Sequence, residues 1–463
     1  VVAVDSTQPD VTLYLVPEAR IVGRVVLPGS SSFQIYDGGN TMRVNLLRRQ
    51  FREGRERWDP TREVEVRSDG EFRFFDLPAG DYKVQTSELL DRDPLTITPH
   101  GQQFGFPPVF FPSSSDIGSA TILHLAPGET FQGTISLTRR EYYPVRLRVT
   151  NAPPNTPPEV SVWPAGQPGP GFELGYDVRQ TSVRGLLPDG TYTVTVIAHS
   201  TEDLTGTATL TIRGAPVFGP TITLVPNPSI SVVFQEQFTN PPDHENEPTS
   251  PGGGIHARFA SSHGYDVLLF PDEPFSLNNP VSLGSTSSPE HTTYAFSDVP
   301  PGRYRVRIFN HAGIGYAAAI TAGGTDLLKE PLVVGIGSAP PQIEITMRDD
   351  GATINGELID SKTGSAADAL TRHSSVTRPH PVYFLPISGN GVFTVAWAQS
   401  NGKFQLRNLP PGDYNVLAFH QLQGDLEQQG EPALHQYESQ STQITATPNQ
   451  TLTLRVPLIT VPE

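Results

Sequence analysis

Cysteine is absent from this chain of 463 residues, and methionine occurs only twice. Thiol catalysis and Cys-ligated zinc are thereby excluded, and no redox compartment is required. A chain with so little for oxidants to attack suits life outside a cell. Lysine is nearly missing as well: Lys83, Lys329, Lys362 and Lys403 are the whole set, so 28 of the 32 basic residues are arginine (32 − 4). Basic charge of any density is lacking. The formal net charge is −16, its acids are scattered, and no basic stripe exists to hold a nucleic acid. No run approaches 18 apolar residues, so no transmembrane helix is expected. The chain opens VVAVDST, without Met or a charged-then-apolar leader. Two explanations stand, a removed signal peptide or a start inside a longer precursor, and export is the favoured expectation.

Proline and glycine are abundant, at 46 and 42 residues, while only 17% of the chain is charged. Many turns between short strands give that balance; long helices do not. At ~100–200 residues per domain, the length predicts three or four domains.

A repeat organises the chain. It reads SDGEFRFFDLPAGDYKV at 68–84, SVRGLLPDGTYTV at 182–194, TYAFSDVPPGRYRV at 293–306 and NGKFQLRNLPPGDYNV at 401–416. The shared core is apolar-Pro-x-Gly-x-Tyr-x-Val. Its tyrosines are Tyr82, Tyr192, Tyr304 and Tyr414, separated by 110, 112 and 110 residues. That period is a whole β-sandwich rather than a solenoid repeat. Phe72 and Phe74 alternate with Glu71 and Arg73, as on a half-buried strand. Pro78 ends the strand and Gly80 supplies the turn. Tyr82 then enters the next strand, where it can bury its ring and return its hydroxyl to loop backbone, as in a tyrosine corner.

A second element closes each unit: GTISL (133–137), TITLVP (221–226), IEITM (343–347) and LTLRVP (452–457). All read as short strands. A fifth copy, VTLYLVP at 11–17, precedes any complete unit. Openers follow: IVGRVVLPG (21–29), VRLRV (145–149), ISVVF (230–234) and INGELIDSKTG (354–364). The expected architecture is all-β, a tandem array of four immunoglobulin-like or transthyretin-like β-sandwich domains forming an elongated rod. The expected division is an orphan strand at 1–18 and sandwiches at 19–139, 140–226, 227–348 and 349–463.

The pattern G-x-V…G-x-F-x-F-x-x-L-P-x-G-x-Y-x-V resembles the carboxypeptidase regulatory-like and Cna-B-like family. These are transthyretin-like seven-stranded sandwiches, common in tandem on bacterial surface proteins. The resemblance is good in units one and four, fair in three and weak in two. It implies a spacer, stalk, adhesin or accessory role. Some members close a Lys–Asn isopeptide bond from a lysine in the opening strand. Residues 140–226 hold no lysine, Lys83 follows Tyr82, and Lys362 lies past its opener in a turn, so the bond is not expected here.

Catalytic signatures are missing: no Gly-x-Ser-x-Gly, no His-Glu-x-x-His and no phosphate loop. Gly313–Gly315 and Gly335–Gly337 lack the third glycine and following helix of a dinucleotide loop and read as bulges or bends. Asp243, His244, Glu245 and Glu247 sit in a Pro/Gly-rich run that reads as a solvated loop rather than a metal site. No metal and no cofactor is expected. The run Phe104, Phe106, Phe110 and Phe111, held extended by Pro107, Pro108 and Pro112, has two readings. It packs across its own sandwich, or it docks another domain or subunit. Val11, Leu13, Tyr14 and Leu15 of the orphan strand leave both its faces fairly apolar, which invites pairing with an open sheet edge: it finishes an upstream domain of a longer precursor, adds to a sandwich of a neighbouring copy, or folds back on the first sandwich.

The expectation is a non-catalytic structural protein, extracellular or on a bacterial cell surface, self-associating head to tail into a filament by strand addition. An adhesin or carbohydrate-binding arm touching surface glycan or cell envelope is the second reading. A non-catalytic region of a larger secreted enzyme or outer-membrane transporter is the third.

Overall fold

The computed structural model describes residues 17–28, 41–52, 55–91, 102–154, 156–167, 169, 171–239, 265–272, 279–287, 292–310, 315–360, 380–389, 393–399, 401–419 and 437–459. Among these the protein is all-β, and the sole helical piece is a 3-10 turn at Glu438–Gln440. Four separate apolar cores lie in chain order. The first gathers residues from Ala19 to Leu137, the second from Val145 to Leu224, the third from Ile230 to Met347 and the fourth from Ala352 to Leu458.

The four units share one plan. The opening strands are Ala19–Val26, Arg140–Thr150, Ile230–Gln237 and Ala352–Asp360. Each lies parallel to strand segments that close its own unit: Thr130–Ser136; Val217–Phe218 with Ile222–Thr223; Ile343–Arg348; and Thr451–Ile459. On its other side runs an antiparallel approach strand, respectively Glu71–Leu77, Ser182–Pro188, Thr292–Phe296 and Lys403–Leu409. The tyrosine strands follow at Gly80–Thr86, Gly190–Ala198, Gly302–Asn310 and Gly412–Phe419. In the first three units they belong to the second sheet, so the Pro-x-Gly turn carries the chain from one sheet to the other. In the fourth, Ala418 also pairs with Leu458 and joins the two sheets along one edge.

The corner is held the same way four times. Tyr82 Oη donates to Pro78 O at 2.7 Å, Tyr192 to Pro188 O at 3.1 Å, Tyr304 to Pro300 O at 2.8 Å and Tyr414 to Pro410 O at 2.8 Å. All four rings are at most 3% exposed. A buried ring with a satisfied hydroxyl adds apolar area without leaving a stranded polar group.

The glycine of the opener has a cross-strand cause. Gly23 faces Phe72 and Gly356 faces Phe404. A Cβ on Gly23 would stand 2.1 Å from the Phe72 ring, and one on Gly356 1.9 Å from the Phe404 ring. The phenylalanine ring occupies the space a side chain would take, which ties the G-x-V and G-x-F halves of the motif into one contact. Just before each corner, Asp76, Asp298 and Asn408 adopt φ of 54°, 52° and 58°. Asp and Asn tolerate this left-handed region best after glycine. The register slips there, between Ala19 and Ile21 and again between Ala352 and Ile354. Leu186 holds that place in the second unit, which has no such slip.

Three residues separate successive units: 137–139, 227–229 and 349–351.

Candidate functional site: the junction of the first two sandwiches

After its tyrosine strand ends at Thr86, the first unit sends out an excursion. Leu89–Asp91 and Gln103–Phe106 pair antiparallel, Leu90 opposite Gly105. Gln103–Phe106 then pairs with the opening strand of the second unit, Gly105 opposite Arg140 and Gln103 opposite Tyr142. The sheet of the second sandwich therefore runs 175–177, 182–188, 140–150, 103–106, 89–91, and its last two strands come from the first.

The chain then returns over the outer face of the first unit. Phe111 N donates to Val84 O and Thr86 N to Val109 O, both at 2.9 Å. Phe110 joins Leu47, Trp58 and Ala120 in a small outer core. Lys83 is buried beside them, its ammonium 4.3 Å from the centre of the Trp58 ring. Phe106 enters the main core, and the Phe111 ring meets Phe131 edge-on at 5.4 Å. Phe104 is half-buried beneath the Arg139 guanidinium, 4.1 Å away. The structure thus brings Phe104, Phe106, Phe110 and Phe111 to one segment that packs on its own sandwich and docks the next. Val11, Leu13, Tyr14 and Leu15 lie outside the described residues, as do Asp243, His244, Glu245, Glu247, Gly313 and Lys362. Gly337, at φ 62°, sits in a turn where Ser338 N donates to Gly335 O.

The dock is tight. A Cβ on Gly105 would stand 2.8 Å from the Tyr142 ring and 2.9 Å from Leu89 O. One on Gly171, at φ 131°, would meet Pro108 at 2.6 Å. A cavity of about 20 Å³ remains between Gln85, Pro108, Phe110, Ile117, Pro164 and Phe172, space for about one water.

Glu88 sits at the root of the excursion, immediately before Leu89. Its backbone N–H donates to Gly171 O at 3.0 Å, and its Oε2 accepts the Glu173 N–H at a long 3.4 Å. Glu88 Oε1 and Tyr142 Oη are both buried, and neither completes a hydrogen bond of ordinary geometry. Burial pushes the Glu88 carboxyl up to about 8, although the neighbouring Tyr142 hydroxyl and the Glu173 N–H draw it down. Burial first, and the Glu88 charge second, raise the Tyr142 phenol well above its ordinary range. Tyr192, whose ring meets Phe172 edge-on at 5.3 Å, is raised by the same two causes.

The other junctions are bonded from both sides. Asn227 N donates to Asp203 O at 2.8 Å and Val299 N to Pro228 O at 3.0 Å. Thr239 N donates to Asp349 Oδ1 at 2.8 Å, Tyr316 Oη to Asp350 Oδ1 at 2.9 Å, and Asn449 N to Asp350 O at 2.7 Å. The first and third units also touch, through Arg57 Nη1 donating to Pro271 O at 3.0 Å. Among the described residues no three His, Asp or Glu side chains group so as to hold a metal ion. No described helix is long and apolar enough to cross a membrane.

Sequence reasoning missed the crossing hairpin and Glu88. Gly105, a lone glycine inside an aromatic strand, is the one signal of close backbone approach there; Glu88 carries none.

No family model and no curated protein matches the chain. Among solved structures it is similar to BcpA, the major pilin subunit of Bacillus cereus, at 9% identity, covering 95% of this chain and 99% of that one with a TM-score of 0.15. It is similar to the RrgB pilus protein of Streptococcus pneumoniae at 7% identity, over 97% and 99% of the two chains with a TM-score of 0.15. A third is the Bacillus anthracis TIE protein, at 8% identity, 90% and 68% coverage and a TM-score of 0.17. At identities and scores this low, nothing of function passes from these proteins to this chain.

Proposed function

We propose that this is a non-catalytic structural protein of a bacterial surface or exterior. In this reading the units at 19–139, 140–226, 227–348 and 349–463 form an array that holds its parts at fixed separations, and copies join head to tail into a filament. The observation that carries it is the pair of strands at 89–91 and 103–106, which extends the sheet of the next sandwich. Strand addition across units, the joint proposed between copies, is already used within one chain. Three-residue linkers bonded to loops on both sides support the same reading, because each bond removes a freedom a flexible tether would keep. The donor strand in this reading is VTLYLVP at 11–17, and a contact that does not close on itself propagates as a fibre.

Electron microscopy of the intact chain and of a chain lacking residues 1–17 tests this. The reading expects long particles from the first and single molecules from the second. Long particles from both would remove the joint, and single molecules from both would remove the filament.

A further inference from the structure

We propose that Glu88 makes the dock between the first two sandwiches an acid-locked hinge, held while its carboxyl keeps a proton and loosened when that proton is lost. Glu88 is the last residue before the strand pair that crosses to the second sandwich, and one of its carboxyl oxygens, Oε1, is buried there without a hydrogen-bond partner. The second sandwich presents Tyr142 from its opening strand, Tyr192 from its tyrosine strand, and Glu173 with its N–H from the loop at 171–174. None of the groups acting on the carboxyl is a cation, and the Glu173 carboxylate repels it. One long N–H contact on Oε2 and a nearby hydroxyl are little to stabilise a carboxylate whose Oε1 is closed off from water, and buried charge without a partner is costly. A neutral acid has no such cost. Undocking returns the side chain to solvent, where the charge is cheap.

The sign follows from linkage. Docked, the carboxyl holds its proton up to about pH 8; undocked, it reverts to the ordinary value of 4.5. Opening therefore releases a proton between those limits. The equilibrium constant for opening rises roughly tenfold per pH unit across that window and is level on either side. The dock is firmest in acid and weakest from about pH 8 upward.

Because the chain has no cysteine, dyes can be placed cleanly at Arg67→Cys on the first sandwich and Thr209→Cys on the second, both exposed. Single-molecule energy transfer in a urea series at pH 5, 6, 7 and 8 reads the midpoint of opening. The full-length protein is expected to show a midpoint that falls with each step in pH, and Glu88→Gln a midpoint that does not move. Tyr142→Phe removes the hydroxyl that eases ionisation, so it should carry the falling phase to higher pH while leaving its slope intact. A merely structural role for Glu88 would lower the midpoint of Glu88→Gln equally at every pH and leave the slope in place. A wild-type midpoint constant from pH 5 to 8, or a slope that persists in Glu88→Gln, overturns the hinge.

Discussion

Tyr414 illustrates what one side chain does in this protein. Its ring fills the fourth core and its hydroxyl satisfies Pro410 O. Tyr414→Phe keeps the ring and strands the carbonyl, a loss of about 1–3 kcal/mol. Tyr414→Ala empties the site as well and should cost ~3–5 kcal/mol, the range for a buried aromatic. Thermal melts of the two variants check both the size and the order; an unchanged melt of Tyr414→Phe would deny the hydroxyl a role, and equal losses would deny one to the ring. The role of these tyrosines is legible in sequence because ring, turn and spacing recur together four times. The glycine partner is less so. Nothing in G-x-V says that Phe404 lies over Gly356, since the two are far apart in the chain and meet only through strand register. Gly356→Ala should destabilise by about 1–3 kcal/mol through overpacking. Pairing it with Phe404→Ala should cost less than the sum of the two, because the clash vanishes with the ring. Additive losses in a double-mutant cycle would mean the ring and the glycine do not meet.

Strands and their order were open to sequence reasoning to different depths. The opener, the approach strand, the tyrosine strand and the closer all stand where alternation and the Pro-x-Gly turn put them. The parallel pairing of opener with closer could not be read, because period-2 patterns fix a face and not a neighbour. The phenylalanine run shows the same limit. Its apolar character is plain, but not its neighbours: Phe106 and Phe110 are buried in cores of the first sandwich while Gln103–Phe106 pairs with the opening strand of the second. The hinge on this element is Gly105. Gly105→Val sets branched carbons against the Tyr142 ring and Leu89 O, so the hairpin should lift while both cores stay folded. Hydrogen exchange would then show lost protection at residues 103–106 and 140–142 and retained protection in Arg146–Val149 and Phe72–Phe74. Protection lost throughout the second sandwich would show the hairpin to be part of its core rather than a clasp.

At the scale of the whole molecule the account rests on junctions. Four cores joined by three-residue linkers could still swing if the linkers were unbonded, and the sequence alone could not decide between a tether and a joint. What decides is local: Asn227 bonds to Asp203 of the second unit and Pro228 to Val299 of the third, Asp349 bonds to Thr239 of the third, and the buried Asp350 bonds to Tyr316 of the third and Asn449 of the fourth. The central claim is that these joints hold the array in one arrangement. Small-angle X-ray scattering of the intact chain at pH 5, where the first dock is firmest, tests it most directly. A control chain carries six Gly and Ser residues inserted between Ser229 and Ile230. A single conformation is expected to fit the intact chain, and the inserted chain to demand a broad ensemble with a larger mean radius. An intact chain that itself demands such an ensemble would contradict the claim.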